Sequence, residues 1–263
     1  MATRMTVRET LTILLRDGFI LVFNQDALDV VATAEALIAA GVHNMEVTCR
    51  IRKPLEKIAR LKKALPQFAV GCASLVDNAG FLRRYNARHA DDPLPSVAQA
   101  VEAGADYVVS AVGFRAETYE RFVGQVGLVP GCGSAEQIVR QYGFGANLCK
   151  LFPARELGGP AYLRAVDPAL HKTVPLVPMG GTNAENMPDY IAAGALVVGG
   201  SFSLIDKPAV QAAEGGDFGP LTEQLRGIKA LIDRRREQRW PGLDWTGADV
   251  DVIAETTGRD FSL

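Results

Sequence analysis

Only four cysteines, Cys49, Cys72, Cys132 and Cys149, occur in 263 residues, and no two of them form a C-x-x-C pair. That spacing excludes a disulfide framework and the usual cysteine-based zinc or redox motifs, and it predicts reduced, mostly buried thiols. Long hydrophobic runs are missing as well. Residues 11–15 and 19–23 are apolar, but Arg16-Asp17-Gly18 separates them, which argues against a signal peptide and a membrane-spanning helix. A cytoplasmic protein without a membrane partner is the expectation. Charge of one sign is also lacking: 28 Lys and Arg face 30 Asp and Glu, a formal net charge of −2. No electrostatic footprint for nucleic acid or anionic lipid exists, so any anion site has to be local. Finally, no G-x-G-x-x-G follows the first candidate strand, which disfavours a dinucleotide-binding open sheet.

The composition itself is that of a globular protein, with 48% hydrophobic and 22% charged residues. Short apolar runs recur at residues 20–23, 44–48, 69–74, 107–111, 127–132, 147–152, 174–180 and 195–200. Segments of helical period separate most of them, such as Leu28, Val31, Ala34 and Ile38. Alternation of this kind predicts parallel strands with crossover helices, and eight such units predict an α/β fold of the (β/α)8 TIM-barrel type. Helices end in Ala39-Ala40-Gly41, Ala103-Gly104-Ala105 and Ala193-Gly194-Ala195 just before a strand, where glycine suits the left-handed residue after a helix. One domain over residues 1–263 is expected. Residues 78–96, after strand three, exceed a minimal connection and read as an insertion made of a short helix and a proline-bounded loop. Residues 218–263 read as a C-terminal helix and extension of the same domain. Its Arg234-Arg235-Arg236 cluster is expected to be a solvated helix terminus, and the segment after 240 an irregular tail.

Lys150 is the residue that most needs explaining, because it stands in Asn147-Leu148-Cys149-Lys150-Leu151-Phe152, a run that otherwise reads as a buried strand. A buried ammonium is costly unless it is paired or loses its proton, and a deprotonated lysine attacks carbonyls. Lys150 is therefore a candidate Schiff-base nucleophile, set against a strand-end lysine that snorkels to solvent or pairs with a carboxylate. Glu46, Thr48 and Arg50 alternate at the end of strand two, which puts them on one strand face. An internal Glu46–Arg50 ion pair is one reading of that trio. The functional reading makes the trio a keto-acid site, with Arg50 on a substrate carboxylate, Thr48 a further substrate contact and Glu46 a proton acceptor beside an imine. Met179-Gly180-Gly181-Thr182 and Gly199-Gly200-Ser201 follow strands seven and eight, where barrels hold phosphate on backbone N–H groups; Thr182 or Asn183 could also cap a helix over 184–193.

Taken in order, Glu46-Val47-Thr48-Cys49-Arg50, Gly71-Cys72-Ala73-Ser74, Val129-Pro130-Gly131, Lys150-Leu151-Phe152-Pro153-Ala154 and the two glycine pairs resemble the 2-keto-3-deoxy-6-phosphogluconate and 4-hydroxy-2-oxoglutarate aldolases, over residues 20–205. The resemblance implies a homotrimeric (β/α)8 barrel and a class I aldolase with no cofactor and no metal. It implies cleavage of a 2-keto-3-deoxy sugar acid or 4-hydroxy-2-oxo acid, phosphorylated or not, to pyruvate and an aldehyde. Carried over residue by residue, Lys150 forms the imine and Glu46 is the acid/base. Arg50 and Ser74 hold the carboxylate, and Phe152 packs on the pyruvyl methyl. Gly180, Gly181, Gly200 and Ser201 form the phosphate loops. Met179, Ser110-Ala111 and Asn24 depart from the family pattern around the aldehyde half. Two other readings keep part of this site: a 2-oxo acid decarboxylase or dehydratase using the same imine, and a sugar-phosphate-binding barrel without turnover.

Overall fold

The computed structural model describes residues 4–263. Thr6 and Glu9 close a capping box that opens helix α1 (Val7–Asp17), whose inner face buries Leu11, Leu14 and Leu15. Gly18 ends the helix and feeds the chain into β1 (Phe19–Phe23). The interrupted apolar stretch is thus a helix and a strand joined by a turn. Helix α2 (Val30–Ala39), β2 (Asn44–Thr48), α3 (Pro54–Ala64) and β3 (Ala69–Leu75) follow. Every residue of β1 and β2 is buried, as parallel strands covered on both faces require.

After β3 come α4 (Ala79–Arg88), a proline-containing loop and α5 (Val97–Glu102) before β4 (Tyr107–Ser110). Asn86 clamps that loop: its side chain donates to the Leu94 carbonyl at 3.0 Å and accepts the Leu94 N–H at 2.9 Å. The chain continues through α6 (Ala116–Phe122), β5 (Gly127–Val129), β6 (Gly131–Cys132), α7 (Ala135–Gly143) and β7 (Cys149–Leu151). Helix α8 (Gly159–Ala169), β8 (Leu176–Pro178), α9 (Met187–Ala192) and β9 (Val198–Ser201) complete the alternation. The fifth expected strand is split at Pro130, which has no N–H with which to continue the ladder.

All strand pairs are parallel. One sheet has the order β5-β4-β3-β2-β1-β9 and the other β6-β7-β8, with Pro130 as the only residue between β5 and β6. The architecture is therefore a parallel α/β fold. The expected glycines after the helices sit at positive φ, at 84° for Gly41, 104° for Gly104 and 114° for Gly194. All four cysteines are free and buried. Among the described residues, no helix is long and apolar enough to cross a membrane.

The C-terminal part corrects two expectations. After α10 (Lys207–Glu214), helix α11 (Gly219–Arg239) packs on α2, α9 and α10. Its Arg236 is fully buried rather than solvated: it lies 3.4 Å from the Trp245 ring centroid and donates to the Leu15 and Arg16 carbonyls at the end of α1. The segment after 240 is ordered, because Trp245 covers Arg236 and α12 (Val250–Thr257) packs on α1. Beyond α12, Arg259 pairs with buried Asp167 at 2.6 Å, and Asn147 donates to the Phe261 carbonyl at 2.9 Å. Tryptophan over guanidinium and a bidentate carboxylate supply the tertiary partners that the local pattern did not show.

Candidate active site

Lys150 occupies the middle of β7, in register with Gly131 on β6 and Val177 on β8. Only 6% of it is exposed. Burial lowers the pKa of its amine below the ordinary lysine value; the Glu46 carboxylate opposes this, and the Arg50 charge adds to it. The Nζ atom lies 3.9 Å from Glu46 Oε1 and 5.1 Å from the centroid of the Phe152 ring.

Glu46 is in the core of β2, between Val22 of β1 and Gly71 of β3. It is completely buried, and neither carboxylate oxygen has a hydrogen-bond partner. Burial raises its pKa, with Lys150 and Arg50 pulling the other way. A buried carboxylate with both oxygens unpartnered is expensive, and here it is aimed at an amine.

Arg50 follows β2 in a turn, and its Nε donates to Thr48 Oγ1 at 3.2 Å rather than to Glu46. Thr48 Oγ1 in turn lies 2.8 Å from Ser74 Oγ. Arg50 and Ser74 line the cavity together with Glu46 and Lys150, whereas Thr48 does not. Expected as a substrate contact, Thr48 instead stands behind the wall, its hydroxyl occupied in joining Arg50 to Ser74. Ser74 holds a left-handed φ of 63°, at the place where β3 shifts register against β4. Such a conformation costs a non-glycine residue energy and is found where geometry serves a site.

The cavity has a volume of about 350 Å³. Gly180, Gly181, Gly200 and Ser201 line it, as does Phe152. Gly180 and Gly181 have φ of 86° and 72°, and a Cβ on Gly181 would lie 2.4 Å from Arg155 Cβ, so the turn needs both glycines. Thr182 does not cap a helix. Its hydroxyl donates to the Gly199 carbonyl at 2.6 Å, tying the loop after β8 to β9. Asn183 and Asn186 satisfy each other's N–H groups, and α9 starts only at Met187.

Sequence reasoning did not assign site roles to Val22, Leu75, Val76, Val112 and Ser203, all of which line the cavity. Most follow from one signal, their position at or just beyond the C-terminal end of a strand. Among the described residues, no group of three or more His, Cys, Asp or Glu side chains could hold a metal ion.

Residues 15–218 match the family model of KDPG and KHG aldolase. The chain belongs to that family. It is an aldolase, a carbon–carbon lyase. A 2-dehydro-3-deoxy-phosphogluconate aldolase of Treponema pallidum is 34% identical to it over 196 residues, 74% of this chain and 83% of that protein. Among solved structures, the KDPG aldolase of Legionella pneumophila, captured with pyruvate as a covalent carbinolamine, superposes with a TM-score of 0.67. It is 24% identical and covers 84% of this aldolase and 97% of its own chain, a likeness of fold. The Zymomonas mobilis 2-keto-3-deoxy-6-phosphogluconate aldolase, solved with 3-phosphoglycerate, has a TM-score of 0.63 at 25% identity, covering 86% and 95%.

Proposed function

We propose that this aldolase is of class I: Lys150 forms a Schiff base with a 4-hydroxy-2-oxo acid or 2-keto-3-deoxy sugar acid, which is then cleaved to pyruvate and an aldehyde. The supporting observation is the buried Lys150–Glu46 pair, 3.9 Å apart, with both Glu46 oxygens unpartnered beside the cavity. Lys150 attacks the C2 ketone, and loss of water gives an iminium that draws electrons from C3. Arg50 and Ser74 hold the carboxylate, and Phe152 packs on the methylene side. Glu46, directly or through water, takes the C4 hydroxyl proton, the C3–C4 bond breaks, and the aldehyde leaves. Protonation of the enamine and hydrolysis of the imine release pyruvate and restore Lys150. The Gly180-Gly181 and Gly200-Ser201 backbone receives the distal end of the substrate, where N–H groups suit a phosphate or a hydroxyl.

The two sheets are halves of one eight-stranded barrel, with β5 and β6 a single strand kinked at Pro130 and β8 facing β9 across the Thr182–Gly199 bond. The described residues, 4–263, form one domain, with 218–263 its extension and the segment after β3 its insertion. The assembly is a homotrimer in the cytoplasm, where free buried thiols persist.

Borohydride reduction in the presence of pyruvate is expected to leave one adduct, on Lys150. Trapping at another lysine, or undiminished trapping and turnover in Lys150→Met, would remove Lys150 from this role.

A further inference from the structure

Three ionisable side chains, Glu46, Arg50 and Lys150, line the cavity, and the mechanism uses all three on C1 to C4 of the substrate, none of them beyond C4. With the carboxylate held on the β2–β3 side, the aldehyde half has to leave Lys150 toward β8 and β9. Phe152 and Met179, the residues directly after β7 and β8, line the cavity together with Val22 of β1 and the glycine loops. Met179 is built into this wall. It is 2% exposed, its N–H donates to the Leu151 carbonyl at 3.0 Å, and its carbonyl accepts from Ala154 N–H at 2.8 Å. Its side chain fills the space above Gly199, where a Cβ would stand 2.4 Å from the Met179 methyl carbon. Gly199 is thus the socket that fixes the thioether beside the cavity.

A thioether has no donor and is a poor acceptor. A hydroxyl pressed against it gives up water and gains no partner, whereas a methylene gains an apolar contact.

We infer that Met179 is a specificity-determining residue, and that this aldolase prefers 4-hydroxy-2-oxo acids with no hydroxyl on C5, releasing aliphatic aldehydes in preference to hydroxyaldehydes. The inference rests on the imine chemistry proposed for Lys150 and leaves its electron flow unchanged. With 4-hydroxy-2-oxohexanoate, the C4 hydroxyl proton goes to Glu46 and the C3–C4 electron pair moves into the iminium. Propanal departs, C3 of the enamine takes a proton, and water hydrolyses the imine to pyruvate.

The test compares 4-hydroxy-2-oxohexanoate with 2-keto-3-deoxygluconate, which has the same carbon skeleton and adds hydroxyls on C5 and C6. Pyruvate release is measured for the parent enzyme, Met179→Leu and Met179→Thr, and pyruvate is trapped on each with borohydride. The parent and Met179→Leu are expected to favour the hexanoate in kcat/KM by roughly ten- to a hundredfold. Met179→Thr, which supplies a hydroxyl partner, is expected to shrink that ratio at least tenfold while still being trapped. A parent enzyme that prefers 2-keto-3-deoxygluconate, or a ratio that Met179→Thr leaves unmoved, overturns the inference while trapping persists. Failure of the parent to be trapped overturns the Schiff-base reading itself, and the inference with it.

Discussion

Burial pushes Lys150 and Glu46 each toward its neutral form, and each is the main group offsetting the other's shift. The direction of Lys150's shift sets a pH dependence. Its pKa lies below the usual lysine value of 10.5, so free amine is present at lower pH than in an exposed lysine, and trapping rises with pH through that lowered pKa. Glu46 is the group that raises it. Glu46→Gln is therefore expected to move the trapping midpoint to lower pH, while turnover falls by roughly two to four decades for want of the proton acceptor. Imine formation that becomes easier as cleavage becomes slower is a combination that a folding defect does not produce. A trapping midpoint that stays fixed or moves upward in Glu46→Gln would show that the carboxylate does not act on Lys150.

At the scale of elements, one guanidinium joins α11 to the N-terminal helix α1. Arg236 of α11 reaches carbonyls at the end of α1, and Trp245 closes over it. These are the orphan carbonyls that any helix leaves at its C-terminus, and a cation there also meets the favourable end of the dipole. Arg236→Met keeps much of the volume and removes the donors. It is expected to cost about 2–4 kcal/mol from two buried acceptors left unpaired, read as a lower urea midpoint. Because Arg236 does not line the cavity, trapping by pyruvate in the folded fraction should be unchanged. A variant as stable as the parent would mean that the carbonyls are satisfied by water and that the contact holds nothing.

Across the whole molecule, residues near the C-terminus are tied to the segment that leads into the strand carrying the nucleophile. Asn147, three residues before Lys150, accepts the Leu128 N–H at 2.9 Å and donates to the carbonyls of Phe261 and Ser262. Arg259 bridges buried Asp167 and the Gly194 carbonyl, joining α8 to the turn before β9. Arg259→Ala leaves the Asp167 carboxylate buried without its partner and is expected to cost about 3–5 kcal/mol. Thermal unfolding of that variant should begin at a lower temperature, and loss of trapping should follow the same curve as loss of structure. Sedimentation at several concentrations tests the proposed trimer; a monomer throughout would rule it out.

Periodicity alone located the eight strand runs, since parallel strands buried on both faces have to be continuously apolar and leave little else for such segments to be. It also singled out Lys150 and Glu46, because charge inside such runs is costly enough to require a purpose, and alternation from Glu46 through Thr48 led on to Arg50. The split at Pro130 was readable in principle from the missing N–H. What no local pattern contained was the far partner of each polar group. Arg236 looks like a solvated terminus until Trp245 and the end of α1 are beside it, and Thr48 looks like a ligand contact until Ser74 and Arg50 take up its hydroxyl. Met179 is an ordinary apolar residue in sequence; Gly199, twenty residues on, makes it a wall of the cavity. Backbone propensity and the cost of burying charge made the order of elements and the chemistry of the amine legible in the chain. Which side chains face the substrate was decided only by tertiary structure, because that depends on contacts between strands and helices far apart in the chain.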